Sequence, residues 1–418
     1  MDVTGAEIEK RVVQYYLHSR DFNGITLSQL SAELGVELDQ LRERAVEQVK
    51  AGRISIVSPH QSNPFIKMFD VPTEEQLDGL DGREPQFVCL YPTPPAVRAE
   101  VDVSAYDDRP FTKVIVLAAP QLAALPFRLD VLDAYERDPR YWFRFYDFGG
   151  TISVHDQYYE QMDQADKIDL RFGVGHDDKG NRVVAVYMRD LARLPGRQQR
   201  IWKEFLVDRE CHMSEEYFKT TILAEFPDTV SVYEAIIYEQ AEVNKLFELM
   251  GRPRLFRETY EDQRRPRGFS FFVKPTQGQY NDFVHLLDKM LSENINLASF
   301  GKDVRRYHRV EVSKGEFERQ QRGSIAMLEE WLRLRFPDTS PEDLAAIIAP
   351  LREVRKLRQE PAHSIPADKY DNGLYDLQDA LVWKVYRCIN KLRHTLMADE
   401  VACSYQPPHW DGLTVKSY

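Results

Sequence analysis

Cysteine is scarce and scattered. Cys89, Cys211, Cys388 and Cys403 are the four in 418 residues, with no CxxC pair and no histidine pairing beside them. That usage argues against a structural zinc site and points to a reducing, cytoplasmic setting. No apolar run approaches the roughly 18 residues that a membrane span needs, so no membrane partner is expected. The opening MDVTGAEIEKR lacks the basic start and apolar stretch of a secretion signal. An excess of positive charge is missing too, because the formal net charge is −12. A chain of that sign does not offer its whole surface to nucleic acid, since the phosphate backbone demands clustered Lys and Arg. Residues 113–192 hold neither metal-ligand spacing nor the carboxylate and lysine set of a metal-dependent nuclease. No nucleophile–base pair stands out there either, so neither a metal nor a cofactor is expected.

What is present is ordinary in bulk. Hydrophobic residues make up 43% and charged residues 29%, the balance of a globular protein, and the length predicts two or three domains. The pattern predicts an α+β multidomain chain. In residues 1–60, Ile8, Val12, Val13, Tyr16 and Leu17 recur at helical spacing. LSQLSAELG follows, capped by Thr26 or Ser28 and stopped by Gly35, and a further helix runs from about Glu37 to Ala51. The β-like run ISIVS comes next. LSQLSAELGV, LDQLRERAVEQVKAGRI and the return strand together resemble a winged helix-turn-helix domain. In DNA-reading members the second of these helices enters the major groove. Here that helix sets Glu37, Asp39, Glu43 and Glu47 against Arg42, Arg44 and Lys50. This near-balance favours a protein-binding or dimerising role over DNA reading, and both remain open.

Residues 61–112 carry seven of the prolines between 59 and 112 and read as a linker with short β-like pieces such as Phe87–Tyr91. Residues 113–255 read as rich in β-hairpins and then helical. KVIVLAA predicts a buried strand, YWFRFYDFGGTISV a hairpin around Gly149-Gly150, and KIDLRFGVGHDDKGNRVVAVYMRDL another around 177–181. The aromatics from Tyr141 to Phe148 could stack bases, but alternating aromatics on a strand more often form core or cross-strand pairs.

From about 275 to 398 the pattern predicts helices alone. One begins near Gln279 with Tyr280, Phe283, Val284, Leu287, Met290 and Leu291 on one stripe, and one spans about Lys314 to Phe336. Ser340-Pro341-Glu342-Asp343 is a helix start: a serine cap, proline at the first position, then acids at the positive end of the dipole. That helix is expected to bend or divide at Pro350. The last runs from about Leu374 to Met397. Four helices with modest connections describe a bundle, and residues 399–418 read as an extended arm. Basic residues crowd this half, at Arg252 to Arg267, at Lys302 to Arg309 and at Arg352 to Arg358. Each cluster is either a phosphate-binding patch or a solvated face.

Within LREVRKLRQEPAHSI, Arg358 and His363 stand near the end of the third helix. Arginine neutralises charge on a phosphate and histidine moves a proton, so the pair can cleave RNA without a metal. Similar spacing recurs at Arg11/His18, Arg53/His60, Arg171/His176 and Arg387/His394. Context separates Arg358/His363 from these. RKLRQEPAHSI followed by LYDLQDALVWKVYRCINKLRHTL resembles the motif and closing helix of the HEPN family, over about residues 275–398.

That resemblance implies a metal-independent endoribonuclease working as a homodimer through this bundle. Two copies of Arg358 and His363 would meet in one cleft. His363 would serve as general acid or base while the RNA 2′-OH attacks the adjacent phosphorus, and Arg358 would stabilise the phosphorane. Arg355 and Lys356 would hold flanking phosphates, with Gln359 beside them at the position where active members commonly carry Asn, Asp or His. A role in phage defence or a toxin system fits the same resemblance. The family also includes inactive binding modules. The rival expectation is therefore a non-enzymatic dimeric regulator that binds DNA or a partner protein through its winged helix.

Overall fold

The computed structural model describes residues 3–261, 265–313, 316–359, 368–407 and 413–418. It mixes helices and strands in two compact units, residues 1–144 with 148–218 and residues 145–147 with 219–418. Among the described residues no helix is long and apolar enough to cross a membrane.

The first unit opens with α1 (Gly5–His18), β1 (Ile25–Thr26), α2 (Leu27–Leu34), α3 (Leu38–Lys50) and β2 (Ile54–Ile56). Local chemistry fixes these boundaries. Thr4 and Glu7 form a reciprocal capping box at the start of α1. The Thr26 hydroxyl accepts from the Gln29 N–H at 3.0 Å at the start of α2, and Gly35, at φ +64°, ends it. Helix α4 (Thr73–Asp81), strand β3 (Cys89–Pro92) and helix α5 (Pro94–Glu100) come next. The proline-rich stretch is thus no bare connection. All four residues of β3 are buried, and the strand pairs antiparallel with both β1 and β2, giving the order β1-β3-β2. Leu90 of β3 shares one buried core with Ile8, Val12, Leu30, Leu41 and Ala45.

KVIVLAA does not form the strand its β-branched run predicts. Residues Pro110–Val116 form helix α6, with proline in its first turn and Phe111, Ile115 and Val116 buried. A helical i, i+4, i+5 face explains those positions as well as a strand would, and the proline at the start decides for the helix. Strand β4 (Ala124–Arg128), helix α7 (Asp133–Arg137), strands β5 (Tyr141–Tyr146) and β6 (Gly149–Val154), helix α8 (Asp156–Tyr159), and strands β7 (Asp169–Asp177) and β8 (Arg182–Tyr187) follow. Helices α9 (Met188–Ala192) and α10 (Gly196–Glu204), strand β9 (Cys211–Met213) and helix α11 (Glu215–Phe218) complete the unit. The larger sheet has the order β4-β8-β7-β6-β5, with β9 paired to β7. Gly149 and Gly150 lie inside β6 rather than in the turn. A Cβ on Gly150 would stand 2.4 Å from the Phe172 ring, so close packing requires glycine there.

The second unit consists of β10 (Thr229–Ser231), α12 (Val232–Leu249), α13 (Gln277–Met290), β11 (Tyr307–Ser313), β12 (Glu316–Gln321), α14 (Ser324–Arg335), α15 (Pro341–Gln359), α16 (Gly373–Leu396) and β13 (Thr414–Lys416). Helix α12 lies along α16, and α15 packs on α13, α14 and α16. Phe247, Leu287, Trp331, Ile347, Val385 and Ile389 belong to one continuous core. Two expectations are corrected. The region is not purely helical, because β11 and β12 form an antiparallel hairpin. The helix expected from Lys314 begins only at Ser324, after Gly323. Period-two alternation through YHRVEV favours pairing over helix, and its charged residues conceal that alternation in a hydrophobicity scan. Pro350 sits within α15, which continues through it as one helix.

Candidate active site

The Ser340 hydroxyl accepts from the Asp343 N–H at 3.0 Å and starts α15. Leu344, Ile347, Ile348, Leu351 and Val354 then turn one face of the helix into the core. This register carries Arg355 and Arg358, three residues apart, along the neighbouring face. Helix α13 presents Asp288 to them. Its carboxylate is fully buried, although it shares the helix's apolar side with Val284 and Leu287. A buried carboxylate demands charged partners, and two guanidinium groups supply them. Asp288 Oδ1 accepts from Arg355 Nε at 3.1 Å, and Oδ2 accepts from Arg358 Nη1 at 2.6 Å. Ser292, one turn on, donates its hydroxyl to Asp288 and accepts from Arg355 Nη2 at 2.9 Å.

Arg358 has a second acid. Glu293 accepts from the same Nη1 that serves Asp288. The two differ in standing, since Asp288 is sealed from solvent whereas the Glu293 side chain is 36% exposed. Hydrogen bonds from Arg358 to Glu293 first and Asp288 second push its already high pKa further up, so it is a permanent cation. Two arginines and two carboxylates leave the cluster formally neutral.

The other expected site residues stand apart from this cluster. Lys356 is exposed, with no ion pair among the described residues, and Gln359 is exposed at the last position of α15. His363 lies outside the described residues, as does Arg264 of the basic run before α13. Glu353, a candidate partner for Arg358 by spacing, pairs instead with Lys384 at 2.7 Å. Arg11 and Arg53, members of other Arg–His spacings, pair with Glu33 and Glu9. Among the described residues no group of three or more His, Cys, Asp or Glu side chains lies together as a metal site would require.

Asp288, Ser292 and Glu293 escaped the sequence reading. The available signal was an acid within an apolar stripe, at i+4 from Val284 and i−3 from Leu291, which implies a buried ion pair. Comparisons of the chain with protein-family models, with curated proteins and with solved structures find no match.

Proposed function

We propose that the helices from α13 to α16 form a metal-independent endoribonuclease of the HEPN type, dimeric and cytoplasmic. Arg358 is the phosphorane-stabilising group and His363 the general acid or base. The observation that carries this reading is the fixed guanidinium of Arg358 at the end of α15, held from below by the buried Asp288. A pre-oriented cation aimed at developing charge lowers a phosphoryl-transfer barrier more than a mobile one. Partly exposed Glu293 is the partner that an incoming phosphate displaces, while Asp288 stays as the support. Arg355, Lys356 and Gln359 line the approach and hold flanking phosphates. Attack by the 2′-OH leaves cyclic phosphate and 5′-hydroxyl ends. The order α1-β1-α2-α3-β2-α4-β3, with β3 between β1 and β2 in the sheet, supports the winged-helix reading of the N-terminal region, a place to hold a protein or DNA partner. Control of a toxic nuclease, in defence or in a toxin system, fits that arrangement.

Labelled RNA incubated with the protein in EDTA tests this. Cleavage persists, and it falls by about two to four orders of magnitude in His363→Ala and in Arg358→Ala. Absence of cleavage by the wild-type chain, or its survival in both variants, overturns the assignment. One observation favours the rival. Arg358 is already paired with two carboxylates, which suits a non-enzymatic regulator whose helices only dimerise. Salt-sensitive binding to duplex DNA without RNA cleavage would select that reading.

A further inference from the structure

A cleft of about 260 Å³ lies in the first unit, between the turn after α1 and helix α9. Its charge runs against that of the chain. The protein carries a formal −12, yet Arg20, Arg189 and Arg193 line this cleft and Asp21 is the one carboxylate among them. Arg193 meets Asp21 at 2.5 Å, which leaves two guanidinium groups without a lining acid. Arg20 has no ion pair among the described residues. Arg189 Nε is buried and donates to nothing among the described residues. The nearest carboxylate to it, that of Asp190, stands 3.6 Å away, beyond hydrogen-bond reach. Asp190 is thus an ion-pair partner of Arg189 that leaves Nε without a hydrogen bond, and the rest of the Arg189 side chain, 32% exposed, is the part that a ligand meets.

Part of the lining is apolar. Phe22, Phe65, Ile66 and Ile115 line the cleft, and Phe65 is 41% exposed. Asn23 and Asn63 also reach the cleft. The backbone around it is strained and clamped. Phe22 takes φ +56° and Ala118 φ +63°, values a residue with a side chain rarely adopts. Buried Gln121 holds the first by donating to the carbonyls of Asp21 and Phe22, the latter at 2.9 Å. Buried Lys67 holds the second by donating to the Ala118 carbonyl at 3.1 Å. Strain that the surroundings over-determine is characteristic of ligand sites.

We propose that this cleft binds a nucleoside monophosphate, its phosphate on Arg189 and Arg20 and its base against Phe22 and Phe65. Arginine forks match phosphate oxygens, aromatic rings take the base by stacking, and the asparagine amides can read its edge. The site is separate from the Arg358 cluster and does not depend on ribonuclease activity.

Calorimetric titration of the full-length protein with AMP, GMP, CMP and UMP, with adenosine and inorganic phosphate as controls, provides the test. At least one monophosphate binds, and it binds at least about tenfold more tightly than either control, because each control supplies only half of the contacts. Arg189→Ala weakens that binding by about tenfold or more, the loss of one charge-assisted contact. Arg20→Ala, at an exposed side chain outside the core, does so without disturbing the fold. No binding of any monophosphate overturns the proposal. So does equal affinity for inorganic phosphate, or unchanged affinity in both variants.

Discussion

Burial of Asp190 works against its charge. Removal from water pushes its carboxyl above the ordinary 3.8, and the opposing pull of Arg189, Arg193 and Arg171 does not restore it. The folded chain therefore holds this proton more tightly than the unfolded chain does. The associated stability is complete below pH 3.8 and is lost as pH rises through the folded value. Asp190→Asn, neutral at every pH, raises the melting temperature at neutral pH and adds little in strong acid. A melting temperature at neutral pH equal to or below that of the parent refutes this. At the same scale, Arg358 was legible because helix-end position and spacing both mark it. Asp288 was not, because one acid in an apolar stripe looks like tolerance until its two arginine partners are seen.

The elements differ in how openly their residues declare them. Caps and stops gave α2, α3 and α15 nearly to the residue, since Thr26, Gly35 and Ser340 act locally, while spacing alone marked α1 and its Thr4 cap was not read. Helix α6 and the hairpin of β11 and β12 were hidden. In the first, a β-branched run outweighed a proline; in the second, charged residues masked the alternation. Strand β3 was legible as the β-like run Phe87–Tyr91, but its place between β1 and β2 was not, because those partners lie far off in sequence. Strand β7 shows what a single position can demand. A Cβ on Gly173 would stand 2.3 Å from the Tyr217 ring, which stacks on Tyr187 with centroids 5.6 Å apart. Gly173→Ala must displace that ring and costs about 1–3 kcal/mol, read from urea unfolding. Combined with Tyr217→Ala, it costs less than the two changes summed. Strict additivity would show that the ring does not set the constraint.

For the whole chain, carboxylates held by arginine set the acid limb of stability. The hydrogen bond from Arg333, aided by Arg352, keeps Glu329 below the ordinary 4.5, and Arg11 does the same for Glu33. Folded values below unfolded ones contribute stability that is present above pH 4.5 and is lost as pH falls through the folded values. Melting temperatures measured from neutral pH downward hold to about pH 4.5 and then drop. Glu33→Gln with Glu329→Gln makes the drop shallower. A parent whose melting temperature rises on acidification below pH 4.5 would contradict this.

Strands β10 and β13 run parallel, with Thr229 opposite Thr414 and Ser231 opposite Lys416. Their partners are separated by roughly 185 residues of chain, and closing so long a loop from the unfolded state carries an entropy that three residue pairs do not offset. Helix α12 leaves directly from β10 and packs along α16. Once those helices dock, the loop left to close shrinks to the short run after Leu396. Docking of α12 on α16 therefore removes most of the closure cost of the β10–β13 pairing, which needs those helices in place far more than they need it.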